Sequence, residues 1–347
     1  MPFYKIGTIG DKADAYISKK LFEEYKQRYN YPKCGEVMIT CAGTVGKTIL
    51  YNGQDAYYQD SNIVWISNPR KIYSNEFLNY LLNRVDWSKL NSTTITRIYN
   101  DNLRELHITF PSREEQDKIV SLLTRIDDRI DTQSKIIEEL TTLRSALHQG
   151  IMSTGLEDGS WRMQTLAEVL SERTELNNEG HAVHSVSVSK GIVNQIEYLG
   201  RSFAAKDTSR YHVAYPGDVV YTKSPTGEFP YGIVKQSQIP IKAALSPLYG
   251  VYVPITQEIG YIIHNHFLSA KNALNYLHPL IQKGAKNTIN ITNQRFLQNS
   301  MPLPTNKNAA LLYYNAIKTV SDKIDLEISI LHQLQIQKRK LLNDMFI

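Results

Sequence analysis

Two stretches of this chain carry the same helical pattern, and that duplication limits the possible folds more than any other feature of the sequence. Ile119, Leu123, Ile126, Ile130, Ile137, Leu140, Leu147 and Ile151 are matched one for one by Tyr313, Ile317, Val320, Ile324, Leu331, Leu334, Leu341 and Met345, each 194 positions later. Even the break in the stripe repeats, with Arg144 in the first copy and Lys338 in the second. Intervals of three and four kept up over this length describe a seam made for another helix, as in a coiled coil. Residues 113 to 152 as one helix would rise about 60 Å at about 1.5 Å per residue, longer than most globular helices. Two such helices in one chain most simply pack on each other; the alternative is an ordinary amphipathic surface helix.

The approach to each helix is duplicated as well. Ile98-Tyr99-Asn100-Asp101-Asn102-Leu103 leads to Phe110-Pro111, and Ile291-Thr292-Asn293-Gln294-Arg295-Phe296 leads to Leu303-Pro304 in the same phase. Ser112 with Glu115 forms a capping box, which satisfies amides that have no partner within the helix. In the second copy Thr305 is the expected cap and Asn308 replaces the acid, so capping there should be weaker. The first helix is expected to stop near Gly150, with residues 153–160 as a linker of small and polar residues.

Each segment ahead of a helix alternates short strands with turns. Glu36-Val37-Met38-Ile39 follows a Pro-Lys-Cys-Gly turn, and Ile63-Val64-Trp65-Ile66 follows Asn52-Gly53. Asp218-Val219-Val220-Tyr221 follows Tyr215-Pro216-Gly217, and Tyr249-Gly250-Val251-Tyr252-Val253 comes later. A turn, an acid and a strand therefore recur while the rest diverges, the pattern of one scaffold carrying two different readers. At 347 residues, with 42% hydrophobic and 21% charged content, the chain is expected to form two or more domains. No apolar run approaches the roughly 20 residues that span a bilayer, and Met1-Pro2-Phe3-Tyr4-Lys5 lacks a signal-peptide start, so a cytoplasmic location is expected. Cys34 and Cys41 suffice for neither a disulfide framework nor a zinc site and are expected to be reduced. A net charge of +5 permits an anionic partner. The 22 tyrosines offer stacking faces and hydroxyls to a nucleic acid, and serve core packing equally well.

Three catalytic signals fail on inspection. Gly43-Thr44-Val45-Gly46-Lys47-Thr48 looks like the end of a phosphate loop, but Cys41 stands where a Walker motif wants Gly, and Ile49-Leu50-Tyr51 predicts a strand instead of the required helix. Glu24-Tyr25-Lys26 with Asp11 and Asp14 has no defined acidic partner and reads as a solvated helix face. His181, His184, His264 and His266 lack cysteines or carboxylates at ligand spacing, so loop or packing roles are expected and no metal site. Asn68-Pro69 is followed by Arg70, so no adenine-methyltransferase motif is present. Any chemistry comes from partners.

With these residues in view, the chain resembles the specificity (S) subunit of type I restriction-modification enzymes. The resemblance rests on Pro2-Phe3-Tyr4-Lys5-Ile6-Gly7-Thr8-Ile9-Gly10, on Gln59-Asp60-Ser61-Asn62-Ile63-Val64, and above all on Pro111-Ser112-Arg113-Glu114-Glu115-Gln116-Asp117-Lys118-Ile119 with Ile126-Asp127-Asp128-Arg129-Ile130. It implies an α+β fold: two target-recognition domains, each reading part of a bipartite asymmetric site on double-stranded DNA, separated by two long antiparallel helices. The expected boundaries are 1–110 for the first domain, 111–153 for the first spacer helix, 154–303 for linker and second domain, and 304–347 for the second helix. Such a subunit is not an enzyme. It docks two methylation (M) subunits, which bring S-adenosylmethionine and adenine-N6 methylation, and the full complex adds restriction (R) subunits that need ATP and Mg2+; no cofactor is expected in this chain. Pro2 corresponds to about His184, so the first domain is expected to lack roughly 20 residues present at the start of the second. The alternatives are a coiled-coil scaffold that binds other proteins, or an inactive specificity chain with a short first domain.

Candidate DNA contacts lie in corresponding loops. In the first domain they are Thr44 and Lys47 in the glycine turn, and Ser92, Thr93, Thr96 and Arg97 in the polar stretch that follows. In the second they are Lys223, Ser224 and Thr226, with Lys283, Lys286 and Asn287 in a separate loop. Lys and Arg neutralise phosphates, while Asn and Arg can read purine edges through paired hydrogen bonds. A rigid helical spacer makes one prediction: inserting about one heptad into the first helix should move the half-sites apart without changing what either half reads. Mapping the recognised sequence of such a variant checks it, and unchanged spacing would count against the spacer.

Overall fold

In a computed structural model, which describes residues 1–58, 62–87, 97–201, 207–283 and 289–345, the chain divides into two compact units. The first comprises residues 1–136 and 327–347, the second residues 137–326, so both long helices contribute to both units.

Unit 1 contains β1 (Pro2–Tyr4), β2 (Ala15–Tyr16), α1 (Lys19–Arg28), β3 (Val37–Thr40), β4 (Thr48–Leu50), β5 (Tyr57–Tyr58), β6 (Ile63–Ile66), α2 (Asn75–Arg84), α3 (Asn100–Arg104) and the start of α4 (Arg113–Asp158). Its central sheet runs β4-β3-β6, all antiparallel, with Val37 opposite both Leu50 and Ile66. The second sheet places β1 between β2 and β5. Val37 and Ile39 face Leu78 and Leu82 of α2, whose start Ser74 caps by accepting a hydrogen bond from Phe77 N at 3.2 Å.

Unit 2 repeats this plan with more strands. It contains β7 (Trp161–Thr165), a 3-10 turn (Leu166–Glu168), β8 (Leu170–Glu172), β9 (His184–Ser187), β10 (Gly191–Asn194), α5 (Gln195–Leu199), β11 (His212–Ala214), β12 (Val219–Tyr221), β13 (Val234–Gln236), β14 (Ala243–Leu245) and β15 (Gly250–Pro254). Next come α6 (Gln257–His266), α7 (Ala270–Leu277), β16 (Gln282–Lys283), β17 (Ile289–Asn290), α8 (Asn293–Phe296), β18 (Ser300–Pro304) and the start of α9 (Lys307–Met345). Its central sheet is β13-β12-β15-β8, the order of unit 1 with one strand added, and β7 pairs separately with β18. The strands expected at residues 36–39, 63–66, 218–221 and 249–253 are thus present, as β3, β6, β12 and β15 of the two central sheets.

The apolar stripes of α4 and α9 face each other antiparallel. In unit 1, Leu123 and Phe77 are buried with Ile119, Leu341 and Met345 against them, and in unit 2 Tyr313 and Ile317 are fully buried beside Leu147 and Ile151. The gap in each stripe holds a polar pair: Gln133 Nε2 donates to the Glu327 carboxylate and to its carbonyl oxygen, the latter at 3.2 Å, with both side chains buried. The two charged interruptions are accommodated differently. Lys338 pairs with Asp127 at 2.5 Å over the Tyr80 ring, whereas Arg144 has no such acid among the described residues and adds to burial in pushing Lys235 down to about 8.

Two expectations about helix ends are corrected. The first helix does not stop near Gly150 but continues through residues 153–158, because Gly155 admits the Trp161 ring; a Cβ there would lie 2.1 Å from it. The cap of the second helix is Asn306, which accepts from Ala309 N at 2.9 Å, while Thr305 donates through its backbone and hydroxyl to Ser160 O and extends the β7 pairing. The Ser112–Glu115 capping box forms as expected.

Unit 2 buries histidines in its helix seam. His148 Nδ1 lies 2.5 Å from the Tyr313 hydroxyl, with the His266 ring 5.7 Å away. Desolvation, helped by Arg144 in the first case and by His148 in the second, pushes His148 down to about 4 and His266 to about 3. Both folded values lie below the unfolded one, so the unfolded chain takes up protons that the folded unit refuses. Stability from these groups is complete above about pH 6.5 and falls as pH drops toward 4, by on the order of 2 kcal/mol per histidine at pH 5. Melting at pH 7.5 and pH 5 should show the loss; an unchanged melting temperature would contradict neutral burial.

Candidate nucleic-acid interface

The turn after the central strand is built the same way in both units. Thr40 Oγ1 accepts from Lys47 N at 3.1 Å, and Thr222 Oγ1 accepts from Ile233 N at 3.1 Å, so a buried threonine closes each loop. The residue before each of these amides is a glycine with positive φ, Gly46 at +84° and Gly232 at +96°. Gly46 lies against the Trp87 ring, and a Cβ on Gly232 would stand 1.8 Å from Thr222 O. A residue with a side chain is excluded by both conformation and space.

In unit 1 this turn is also tied to the N-terminal loop. Thr44 Oγ1 donates to Ile6 O at 3.0 Å and Lys47 Nζ donates to Ile9 O at 2.6 Å. Lys47 remains exposed, and its ammonium carries two further donors. Thr44 and Lys47 therefore shape the loop as well as display it. Ile98 N donates to Cys41 O at 2.9 Å, which brings Arg97 beside the turn, its guanidinium 5.7 Å from the Tyr99 ring centre. Ser92, Thr93 and Thr96 lie outside the described residues, as does the Gln59-Asp60-Ser61 part of the motif before β6.

In unit 2 the corresponding loop is longer and ends in a tight reversal, with Thr226 N bonded to Phe229 O at 3.0 Å and Phe229 N to Thr226 O at 2.9 Å. Ser224 and Thr226 are exposed at its tip. Lys223 is half-buried, and desolvation lowers its pKa against the opposing pull of Glu172. β16 and β17 form a hairpin whose flanking residues, Ile281 and Ile291, share a hydrophobic cluster with Phe229 and Ile233. In each unit the described residues that flank the second candidate loop thus lie beside the first. The Lys283 side chain, Lys286 and Asn287 lie outside what the structure describes.

An aromatic cavity of 400 Å3 in unit 1 did not emerge from sequence reasoning. Tyr25, Tyr29, Tyr57, Trp65 and Lys26 line it, and Lys26 is held by Asp55 at 2.6 Å. Its only trace in the sequence is the abundance of tyrosine. Among the described residues no cluster of His, Cys, Asp or Glu suits a metal, and no helix is long and apolar enough to cross a membrane. Both cysteines are free.

Comparison with known proteins relates the first part of this scaffold to a family. Residues 1–142 match the model of the type I restriction modification DNA specificity domain. These residues belong to that family. A putative type I restriction enzyme specificity subunit of Haemophilus influenzae is 46% identical over 139 residues, which are 40% of this chain and 35% of that protein. A putative type I restriction enzyme MjaX specificity subunit of Methanocaldococcus jannaschii is 24% identical over 248 residues, covering 65% of this chain and 56% of its own length. The matches to these curated relatives thus span about a third and about half of their length. The type I restriction-modification S subunit from M. genitalium shares the fold over 100% of this chain and 88% of its own, with a TM-score of 0.60 at 14% identity. The architecture is therefore that of type I S subunits, α+β with a long helix pair.

The loop construction makes a prediction about stability. Gly232→Ala should cost about 1–3 kcal/mol through positive φ and the clash with Thr222 O, while Lys223→Ala, at the half-buried neighbouring strand end, should cost less. Denaturant unfolding of the two variants checks the order; equal stability would mean that the turn can relax.

Proposed function

We propose that this chain is the non-catalytic DNA sequence-specificity subunit of a type I restriction-modification complex. One observation carries the reading: two diverged loop systems stand on one repeated scaffold, whose first copy belongs to the DNA specificity family. Repetition of the support with divergence of the tips suits a protein that reads two different half-sites.

In this reading Lys47 and the other loop cations contact phosphate, and the polar tips read base edges in the major groove. Lys223, half-buried and with a lowered pKa, suits a base edge or a structural role better than a solvated phosphate clamp. The helix pair separates the half-sites. Two M subunits dock the chain and hold S-adenosylmethionine, while R subunits supply the reactions that need ATP and Mg2+; this chain binds no cofactor itself. The work takes place in the cytoplasm, where the DNA is.

Co-expression with the neighbouring methylation subunit, in a host without adenine methylation, tests the proposal. Single-molecule sequencing should reveal a bipartite asymmetric motif with modified adenines. A palindrome of one half would restrict reading to one unit. A stable complex that leaves DNA unmodified would indicate an inactive specificity chain, and absence of any complex would favour the protein-scaffold alternative.

A further inference from the structure

Unit 2 gathers cations and hydrogen-bond donors at one level of its helix seam and gives them no acid. Arg144 of α4 and Lys338 of α9 are repeat counterparts, and so are Asp127 and Ser321. In unit 1 the arrangement is complete: Lys338 Nζ lies 2.5 Å from the Asp127 carboxylate, which also accepts from the Tyr80 hydroxyl at 2.8 Å. In unit 2 the tyrosine bond is kept, Tyr261 donating to Ser321 Oγ at 2.9 Å, but a hydroxyl stands where the carboxylate was. Every Asp and Glu between residues 137 and 326 is among the described residues, and none forms an ion pair with Arg144 or with Lys235.

Lys235 and His264 complete the group. Lys235 on β13 is 4% exposed, and its neighbour Gln236 donates its backbone N–H to His264 Nδ1 at 3.1 Å, which sets the imidazole of α6 beside the lysine. That bond places the ring hydrogen on Nε2, a further donor. The His264 ring stacks on Tyr261 with 6.1 Å between centres, and Tyr261 is the residue bonded to Ser321. Having accepted from the tyrosine, Ser321 Oγ still has its own hydrogen to give. The charges act on one another accordingly. Burial and then Arg144 push Lys235 down to about 8, while burial, Lys235 and Arg144, in that order, push His264 down to about 3; no negative group acts on either. A buried ammonium without a counter-charge is costly, and a guanidinium beside it raises the cost.

We propose that unit 2 binds a small tetrahedral oxyanion, of the phosphate or sulfate class, between Arg144, Lys235 and His264, where it supplies the negative charge that Asp127 supplies in unit 1. The guanidinium fork matches two oxygens of such an ion, the ammonium adds a point charge, and His264 Nε2 and Ser321 Oγ add neutral donors. A set made only of donors and cations selects an ionised oxyanion over a metal ion or a neutral molecule. Neither cation is sealed from solvent, so a free ion can reach them, whereas a phosphate fixed in a duplex backbone is poorly placed to approach a lysine buried to this degree.

The test uses the full protein without DNA or other subunits, so its result is independent of the specificity reading. Titration with inorganic phosphate, against chloride at constant ionic strength, should show saturable binding of one ion; the general stabilisation of folded proteins by phosphate does not saturate. Bound phosphate should raise the pKa of Lys235 from about 8, followed by NMR of labelled lysine with Lys235→Met as the assignment. Arg144→Gln should weaken binding at least about tenfold. Ser321→Asp, which restores the arrangement of unit 1, should raise the melting temperature in chloride and abolish its dependence on phosphate. Lys338→Gln, in unit 1, should leave phosphate affinity unchanged. Absence of saturable binding, affinity indifferent to both Arg144→Gln and Ser321→Asp, or an equal loss in Lys338→Gln would overturn the proposal.

Discussion

The structure depends on the seam between α4 and α9, and within that seam on a buried polar contact. Gln133 and Glu327 occupy corresponding positions of the two copies and meet each other, the amide donating to the carboxylate. A purely apolar stripe tolerates sliding, because one leucine contact replaces another at little cost. Shifting this pair would cost the buried carboxylate its bond from the Gln133 amide, a loss of about 1.5–3 kcal/mol. The contact thus fixes the register of the helices while contributing little net stability of its own, the role a polar residue has in a coiled-coil core.

Each unit hangs on this seam through the same kind of attachment. Tyr80 of α2 donates to Asp127 at 2.8 Å, and Tyr261 of α6 donates to Ser321 at 2.9 Å, with Ser321 the repeat counterpart of Asp127. The helix that supports the central sheet is therefore bonded to the same level of a long helix in both units. From the sheet the constraint passes to the loops: a threonine at the strand end closes the turn, and a glycine at positive φ allows it. Beyond that point the loops of the two units differ in length and in the residues at the tip.

Much of this was legible in the sequence because it is local. The stripe at three- and four-residue intervals, the Ser112–Glu115 cap and the strands after each Gly-acid turn need only neighbours within a few positions, and all are present. The strand after the glycine-rich turn is β4, which excludes the phosphate-loop reading on structure as it did on sequence. Gln133 was not legible, since an amide in an apolar stripe has no meaning until its partner is known. Gly155 misled for the same reason: glycine and small residues suggest a helix end unless one knows that Trp161 folds back onto them. Thr44 and Lys47 read as ligand contacts, while the fold also assigns them bonds to Ile6 and Ile9, which are distant in sequence.

The sequence by itself determined the repeat, the helix seam and the core strands, because periodicity and capping are short-range properties of the covalent chain. Tertiary structure decided which strands cover the edges of unit 2. There β7 pairs with β18 and β8 with β15. A strand's pattern specifies which face is buried; its hydrogen-bonding edge is satisfied only by a second strand, and no local sequence signal states which strand that is.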